Sequence, residues 1–281
     1  MAVRIVTDST ADLDPSAARE LRVEVVPLTI EIEGTSYRDS IDLEPAEFYR
    51  RLPGAHPPPK TSAPSPGAFA GAFELAMSRG DSVVCITISG RLSGSVNAAR
   101  AAREHLGDPT RVTVLDSLAA TAAEANIVTR AATAAADGRS LEEVVAAANQ
   151  TRVRQRLLVG LQTLDYLQRG GRIGRARAFL GGLLNIKPLL TLQDGEVAPS
   201  ERVRSRSRML ARLGEFALSY ADPEMVSIVH AACPADAQAL EALVRAAFPR
   251  TRVACGWIGP VVGLYTGPGA LGVAIVPGEA A

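Results

Sequence analysis

Apolar positions in the first half of the chain fall in short runs set between helical stretches. Val83, Val84, Ile86 and Ile88 form a nearly continuous run of strand length, as expected for a parallel strand covered on both faces. Ser89, Gly90, Ser93, Gly94 and Ser95 follow, and from Asn97 the pattern continues as a helix. Val3 to Val6 alternates into Thr7-Asp8-Ser9, and Asp14-Pro15 then opens a helix to about Arg22. Val23 to Ile32 reads as one strand, with a turn at Glu33-Gly34-Thr35 returning through Tyr37 as a hairpin. Glu44-Pro45 to Leu52 predicts a short helix. The proline-rich stretch Pro53 to Pro66 predicts no regular structure, and a helix begins near Gly67. Arg111 to Leu115 predicts a strand ending in Asp116-Ser117. Ala119 to Ala136 predicts a helix, and Ser140-x-x-Glu143 is a capping box that opens another.

This alternation of strand and helix implies a parallel sheet with helices on its faces. Three strands end in short polar loops, Thr7 to Ser9, Ser89 to Ser95 and Asp116-Ser117. In open α/β sheets ligands sit beyond the carboxyl ends of strands, so neighbouring strands would bring these loops to one crevice.

The polar stretch Thr151 to Leu157 marks a boundary, giving an N-terminal α/β domain over residues 1–155 and a C-terminal one over 156–281. In the second half the pattern predicts an amphipathic helix stopped at Gly170-Gly171, a helix from about Gly174 to Leu184 and a strand over Lys187 to Leu192. A hairpin turn follows at Gln193 to Glu196, then a helix from Arg202 to Tyr220. Val226 to His230, Arg252 to Cys255 and Leu271 to Val276 read as strands, with a helix from Pro234 to Phe248. Hairpins mixed with helices imply a mixed sheet here, so the fold class is two-domain α/β.

Composition narrows the function. Formal net charge is zero over 281 residues, which gives no argument for nucleic acid. No run reaches the 18 or so apolar residues of a membrane span, and the N-terminus lacks a signal pattern, so the cytoplasm is the default location. Cys85, Cys233 and Cys255 show no C-x-x-C spacing, and their odd number argues against a disulfide framework. Charge is uneven, however: between Arg152 and Arg212 there are thirteen Arg and Lys against four Asp and Glu. That excess is either a solvated face or a docking site for an acidic partner or a phosphate.

The Ser93 loop is the main candidate for chemistry. A strand feeding a helix through small residues turns backbone N–H groups and the positive helix end outward, which suits a carboxylate or phosphate. The plainer reading is that Ser93 or Ser95 only caps the helix. Thr61, Ser62 and Ser65 place more hydroxyls just before a helix. Gly170-Gly171-Arg172-Ile173-Gly174 matches no phosphate-loop pattern. Ser93, His230 and Asp116 supply the residue types of a hydrolase without its G-x-S-x-G motif, and Cys233, His230 and Cys255 lack zinc-ligand spacing.

The motifs IVTDSTADL at Ile5, TSAPSPGAF at Thr61, ISGRLSGS at Ile88, VLDS at Val114, LDYLQRGGRIGRARAFLGGLLNIKPLL at Leu164 and GPVVGLYTGPGALG at Gly259 resemble the DegV family in sequence and order. That family includes the fatty-acid-binding subunits of bacterial fatty acid kinases. The resemblance implies a two-domain α/β carrier, not itself an enzyme, holding one long-chain fatty acid with its carboxylate near the domain interface and its chain buried. A separate ATP-dependent kinase would phosphorylate the bound fatty acid to an acyl phosphate for phospholipid synthesis, and no cofactor is implied. Carried over by position, Thr61 and Ser62 of the TS-x-P-S motif, Ser93 and Gly94 of the L-S-G motif and Tyr265 would hold the carboxylate. Arg204 and Arg206 of the basic VRSRSR segment would meet the kinase. Tyr265 stands where the family's G-x-H-x-G-P-G motif often has histidine, so a neutral hydroxyl replaces a group able to carry charge. Gly90 replaces a usual serine, Val96 a usual aromatic residue, and SLAATAAEA follows Asp116 in place of a Ser/Gly pattern. The alternatives are a serine-dependent lipid esterase and a lipid sensor with no kinase.

Burial energetics agree with the carrier in kind. About fourteen methylenes at about 0.8 kcal/mol each offer roughly 11 kcal/mol. Association and ordering consume about 4 to 15 kcal/mol, so most of a tail must be buried.

Overall fold

The structure, a computed structural model, describes residues 2–80, 82–180 and 186–278. In chain order the strands are β1 (Val3–Asp8), β2 (Val23–Val26), β3 (Thr29–Ile32), β4 (Thr35–Arg38), β5 (Lys60–Ser62), β6 (Ser82–Thr87) and β7 (Val112–Asp116). They continue with β8 (Arg156–Gly160), β9 (Lys187–Gln193), β10 (Glu196–Val203), β11 (Met225–His230), β12 (Arg252–Trp257) and β13 (Leu271–Val276). The α-helices are α1 (Pro15–Glu20), α2 (Pro45–Arg51), α3 (Pro66–Ser78), α4 (Ser95–Glu104) and α5 (Thr121–Ala136), then α6 (Leu141–Arg154), α7 (Asp165–Arg169), α8 (Arg206–Leu218), α9 (Pro234–Ala247) and α10 (Pro260–Thr266).

Strands β2, β1, β6 and β7 form a four-stranded parallel sheet in that order. Every residue of β6 is buried, the outcome its continuous apolar run predicts. The second sheet, β10-β9-β8-β13-β11-β12, is antiparallel except for the β11–β12 pair, hence the mixed α/β class. Strands β4, β3 and β5 make a small antiparallel sheet.

Several expectations need correction. The single strand expected over Val23 to Ile32 breaks after Val26, because Pro27 has no N–H for a ladder. Leu28 N at the break is served by Ser9 Oγ at 3.0 Å, and the chain leaves for the small sheet. Within the proline-rich stretch Lys60–Ser62 does form a strand, since three proline-free residues suffice to pair with β3. Arg202 lies on β10, not in a helix; β10 is an edge strand that accommodates Pro199 with a register shift before Glu201. The helix expected from Gly174 is a 3₁₀ segment over Gly174–Phe179, and residues 181–184 of that expectation lie outside the described residues.

Helix α5 joins the two large sheets, packing against β1 and β6 on one side and β11 and β13 on the other. Its small residues Ala122, Ala123, Ala131 and Ala132 are buried and let both sheets approach, and Ser227 on β11 donates to Asn126 Oδ1 at 2.6 Å. One hydrophobic core therefore runs from Ile5 and Ile86 through Val128 to Val229 and Ala274. Helix α10 meets α2 at Gly263, where an added Cβ would fall 2.3 Å from the Tyr49 hydroxyl, itself bound to Ile258 O at 2.9 Å. Gly263→Ala is expected to cost about 1 to 3 kcal/mol by overpacking, read as a lower urea midpoint at unchanged slope.

Candidate functional site

The loops after β1, β6 and β7 converge as their strand order requires. Ile88 N donates to Asp8 Oδ2 at 3.1 Å, and Gly90 N donates to Asp116 Oδ1 at 3.2 Å. Ser89 Oγ donates to Gly195 O at 2.7 Å and pins the β9–β10 hairpin to this edge. These contacts use Asp8, Asp116 and Ser89 as structure. The hydroxyl of Ser93, just before α4, meets its neighbour Ser95: their hydroxyl oxygens are 3.1 Å apart, and Ser95 N donates to Ser93 Oγ at 3.3 Å. Gly94 is the helix N-cap and supplies no capping side chain, and the positive end of α4 lies beside the Ser93 hydroxyl.

Ser93 and Gly94 stand at the mouth of an apolar slot with about 950 Å³ of unfilled space, mouth included. Thr61 and Tyr265 stand there as well, their hydroxyl oxygens 2.6 Å apart. On β5, Thr61 and Ser62 point to opposite faces. Thr61 therefore lines the slot, whereas Ser62 is exposed and does not. The floor is a ladder of Leu157, Val159 and Leu161 along β8 and just beyond it, with Leu190 and Leu192 on β9.

Arg172 is the mouth residue that reading the sequence for hydroxyls did not single out. Its guanidinium lies 5.1 Å from the Tyr265 ring centroid and donates to Gly170 O at 2.9 Å and Leu92 O at 3.3 Å. The Gly-Gly that matches no phosphate-loop pattern has a packing role: a Cβ on Gly170 would lie 2.3 Å from the Tyr265 ring. The regional excess of positive charge was the available signal for Arg172.

Tyr265 and Thr266 are carried by α10, which buried carboxylates hold in place. Gly259 N donates to Asp12 Oδ1 at 3.0 Å and Val261 N to Asp39 Oδ1 at 3.2 Å, while Ser9 Oγ donates to Asp39 Oδ2 at 2.7 Å. Burial pushes Asp39 up to about 6, and burial also raises Asp8, Asp12 and Glu124. Thr121, in the slot wall at a φ of 49°, was also missed; its buried hydroxyl faces Asp12.

The remaining candidates lie apart from the mouth. Arg204 is exposed, whereas Arg206 is committed internally, with Nε donating to Asp236 Oδ2 at 3.0 Å and a further bond to Gly269 O. His230 is buried against the Trp257 ring, centroids 4.5 Å apart, and desolvation lowers its pKa. No hydrogen bond joins Ser93, His230 and Asp116. Among the described residues, no group of three or more His, Cys, Asp or Glu is placed to hold a metal ion. Nor is any described helix long and apolar enough to cross a membrane.

Fold and site together define an α/β protein in which a parallel and a mixed sheet enclose an apolar slot with a polar, cationic mouth. The chain belongs to the DegV family: the family model described as "Uncharacterised protein, DegV family" matches residues 2–278. A DegV domain-containing protein of Deinococcus radiodurans is 38% identical over 280 residues, covering 99% of each chain. Among solved structures, a DegV family protein from Thermus thermophilus described as fatty acid binding superposes with TM-score 0.90 at 35% identity, covering 99% of this chain and 100% of that one. A Bacillus subtilis DegV, described as a fatty acid binding protein, has TM-score 0.89 at 27% identity, with 99% and 100% covered.

Proposed function

We propose that this chain binds one long-chain fatty acid between an N-terminal domain over residues 1–155 and a C-terminal domain over 156–281, and presents it to a separate kinase in the cytoplasm. The observation that carries the binding reading is the slot itself, apolar along its length and polar at one end, where Thr61, Ser93, Tyr265 and Arg172 gather. The carboxylate accepts hydrogen bonds from the Ser93 and Thr61 hydroxyls beside the positive end of α4, with the Tyr265 hydroxyl, 2.6 Å from Thr61 Oγ1, donating to Thr61. Arg172 supplies the charge that a tyrosine at position 265 does not. Relatives described as fatty acid binding support the same ligand class.

Presentation to a kinase is supported by the exposed Arg204 in a basic stretch. The phosphoryl chemistry belongs to the kinase, for which the bound carboxylate is the acceptor and an acyl phosphate the product. Arg204→Glu is expected to leave fatty-acid binding unchanged and to lower acyl-phosphate formation at least ten-fold with an ATP-dependent fatty acid kinase. Unchanged turnover would remove Arg204 from the interface.

Arg172→Gln is expected to weaken binding roughly 10- to 150-fold, the worth of one charge-assisted hydrogen bond at about 1.5 to 3 kcal/mol. Displacement of a fluorescent fatty acid measures it. The reading as a whole is tested by native mass spectrometry of the purified protein with extraction of its ligand. One fatty acid per chain is expected. A chain that purifies empty and refuses added fatty acids overturns the proposal.

A further inference from the structure

The slot ends against a second, open groove with about 1,570 Å³ of space including its mouth. Leu157, Thr191 and Leu192 line both, so the partition between them is a few side chains thick. The register of β8 and β9 shows which end this is. Val159 pairs with Leu190, and Leu161 N bonds to Pro188 O at 2.9 Å, which sets Leu157 across from Leu192. From Leu161 the chain runs on to α7, Gly170 and Arg172 at the mouth, so Leu157 and Leu192 stand at the far end. Four residues of strand separate Leu161 from Leu157, about 13 Å. A bilayer's hydrocarbon core of about 30 Å holds two layers of tails, so one long-chain tail takes about 15 Å and reaches this partition.

Resting on the fatty-acid reading above, we infer that Leu157 and Leu192 set the length of acyl chain the slot accepts. Both line the slot and the groove at once, beyond the last paired residues of β8 and β9, with Val197 of β10 paired to Leu192. Both leucines are only partly buried, as expected for side chains with the slot on one side and the groove on the other. Beyond them the groove offers Leu118, Val153 and Phe216, of which Val153 is 71% exposed. Removing the partition therefore gives the methyl end of a longer chain an apolar surface to continue on. Filling it further shortens the slot.

The test loads delipidated wild type, a Leu157→Ala, Leu192→Ala double variant and Leu192→Phe with an equimolar mixture of saturated fatty acids of graded length, then identifies the bound species by native mass spectrometry. Each further methylene fully buried is worth about a four-fold gain, so partial burial of several in the groove is expected to enrich the longest acids at least ten-fold in the double variant. Leu192→Phe, which keeps the site filled should the double variant fail to fold, is expected to shift the profile to shorter acids. Identical profiles in wild type and a folded variant, each still at one fatty acid per chain, overturn the inference alone. A wild type that takes up none of the mixture overturns the fatty-acid reading and this inference with it.

Discussion

A Thr61→Val, Ser93→Ala variant is expected to purify without bound fatty acid and to bind an added one at least a hundred-fold more weakly than wild type. Each hydroxyl that donates to a carboxylate is worth about 1.5 to 3 kcal/mol, so losing two removes roughly 3 to 6 kcal/mol. The loss is large because a buried carboxylate short of partners costs several kcal/mol. The fold should survive. Valine preserves the shape and β propensity of Thr61 on β5, and the Ser93 hydroxyl meets the start of α4 at Ser95, accepting from its N–H and pairing with its hydroxyl. Displacement titration with a fluorescent fatty acid and an unchanged melting temperature form the check. A folded variant within three-fold of wild-type affinity would place the carboxylate elsewhere.

The outline of this fold was legible because local signals agreed with the global arrangement. The run at Val83 to Ile88 could only be a strand buried on both faces. The hairpins at Glu33-Gly34 and Asp194-Gly195 carry the positive φ values their turns need. Thr61 and Ser93, far apart in sequence, do line one slot, because β5 is drawn to β3 and the β6 loop sits at the sheet edge beside it.

What stayed hidden depends on distance in space. Ser62 is one residue from Thr61 but on the other face of a strand that its proline-rich setting concealed. Arg206 reads as free charge until Asp236 and Gly269 come into contact with it. Arg172 gains its place over Tyr265 only when Gly170 lets the ring approach. The carboxylates of Asp8, Asp12, Asp39 and Glu124 look like ordinary polar residues in the sequence and are assembled by four different elements and loops into the joint between α10 and the parallel sheet.

That joint makes a second large effect predictable: Asp39→Asn is expected to make the protein more stable near neutral pH and to do so by a much smaller margin near pH 4.5. Asp39 sits 1% exposed, and burial raises its pKa from 3.8 to about 6, with the charges of Asp8 and Asp12 acting on the same cluster. Between about pH 4 and 6 the folded state then binds more protons than the unfolded state, so Asp39's share of stability is present at low pH and is lost as pH rises through 6. Roughly two pKa units correspond to about 3 kcal/mol of ionisation cost at pH 7.5 and about 1 kcal/mol at pH 4.5. His230 acts in the opposite sense, because a lowered histidine pKa removes stability as pH falls. Comparison of variant with wild type cancels that contribution. Asparagine keeps a carbonyl acceptor for Val261 N, so α10 stays anchored while the charge goes. Urea unfolding at pH 4.5 and 7.5 is expected to show the variant's advantage growing by about 2 kcal/mol between them. An advantage that is flat or shrinks with rising pH would mean that Asp39 is ionised at no cost, held by partners beyond Ser9 and Val261.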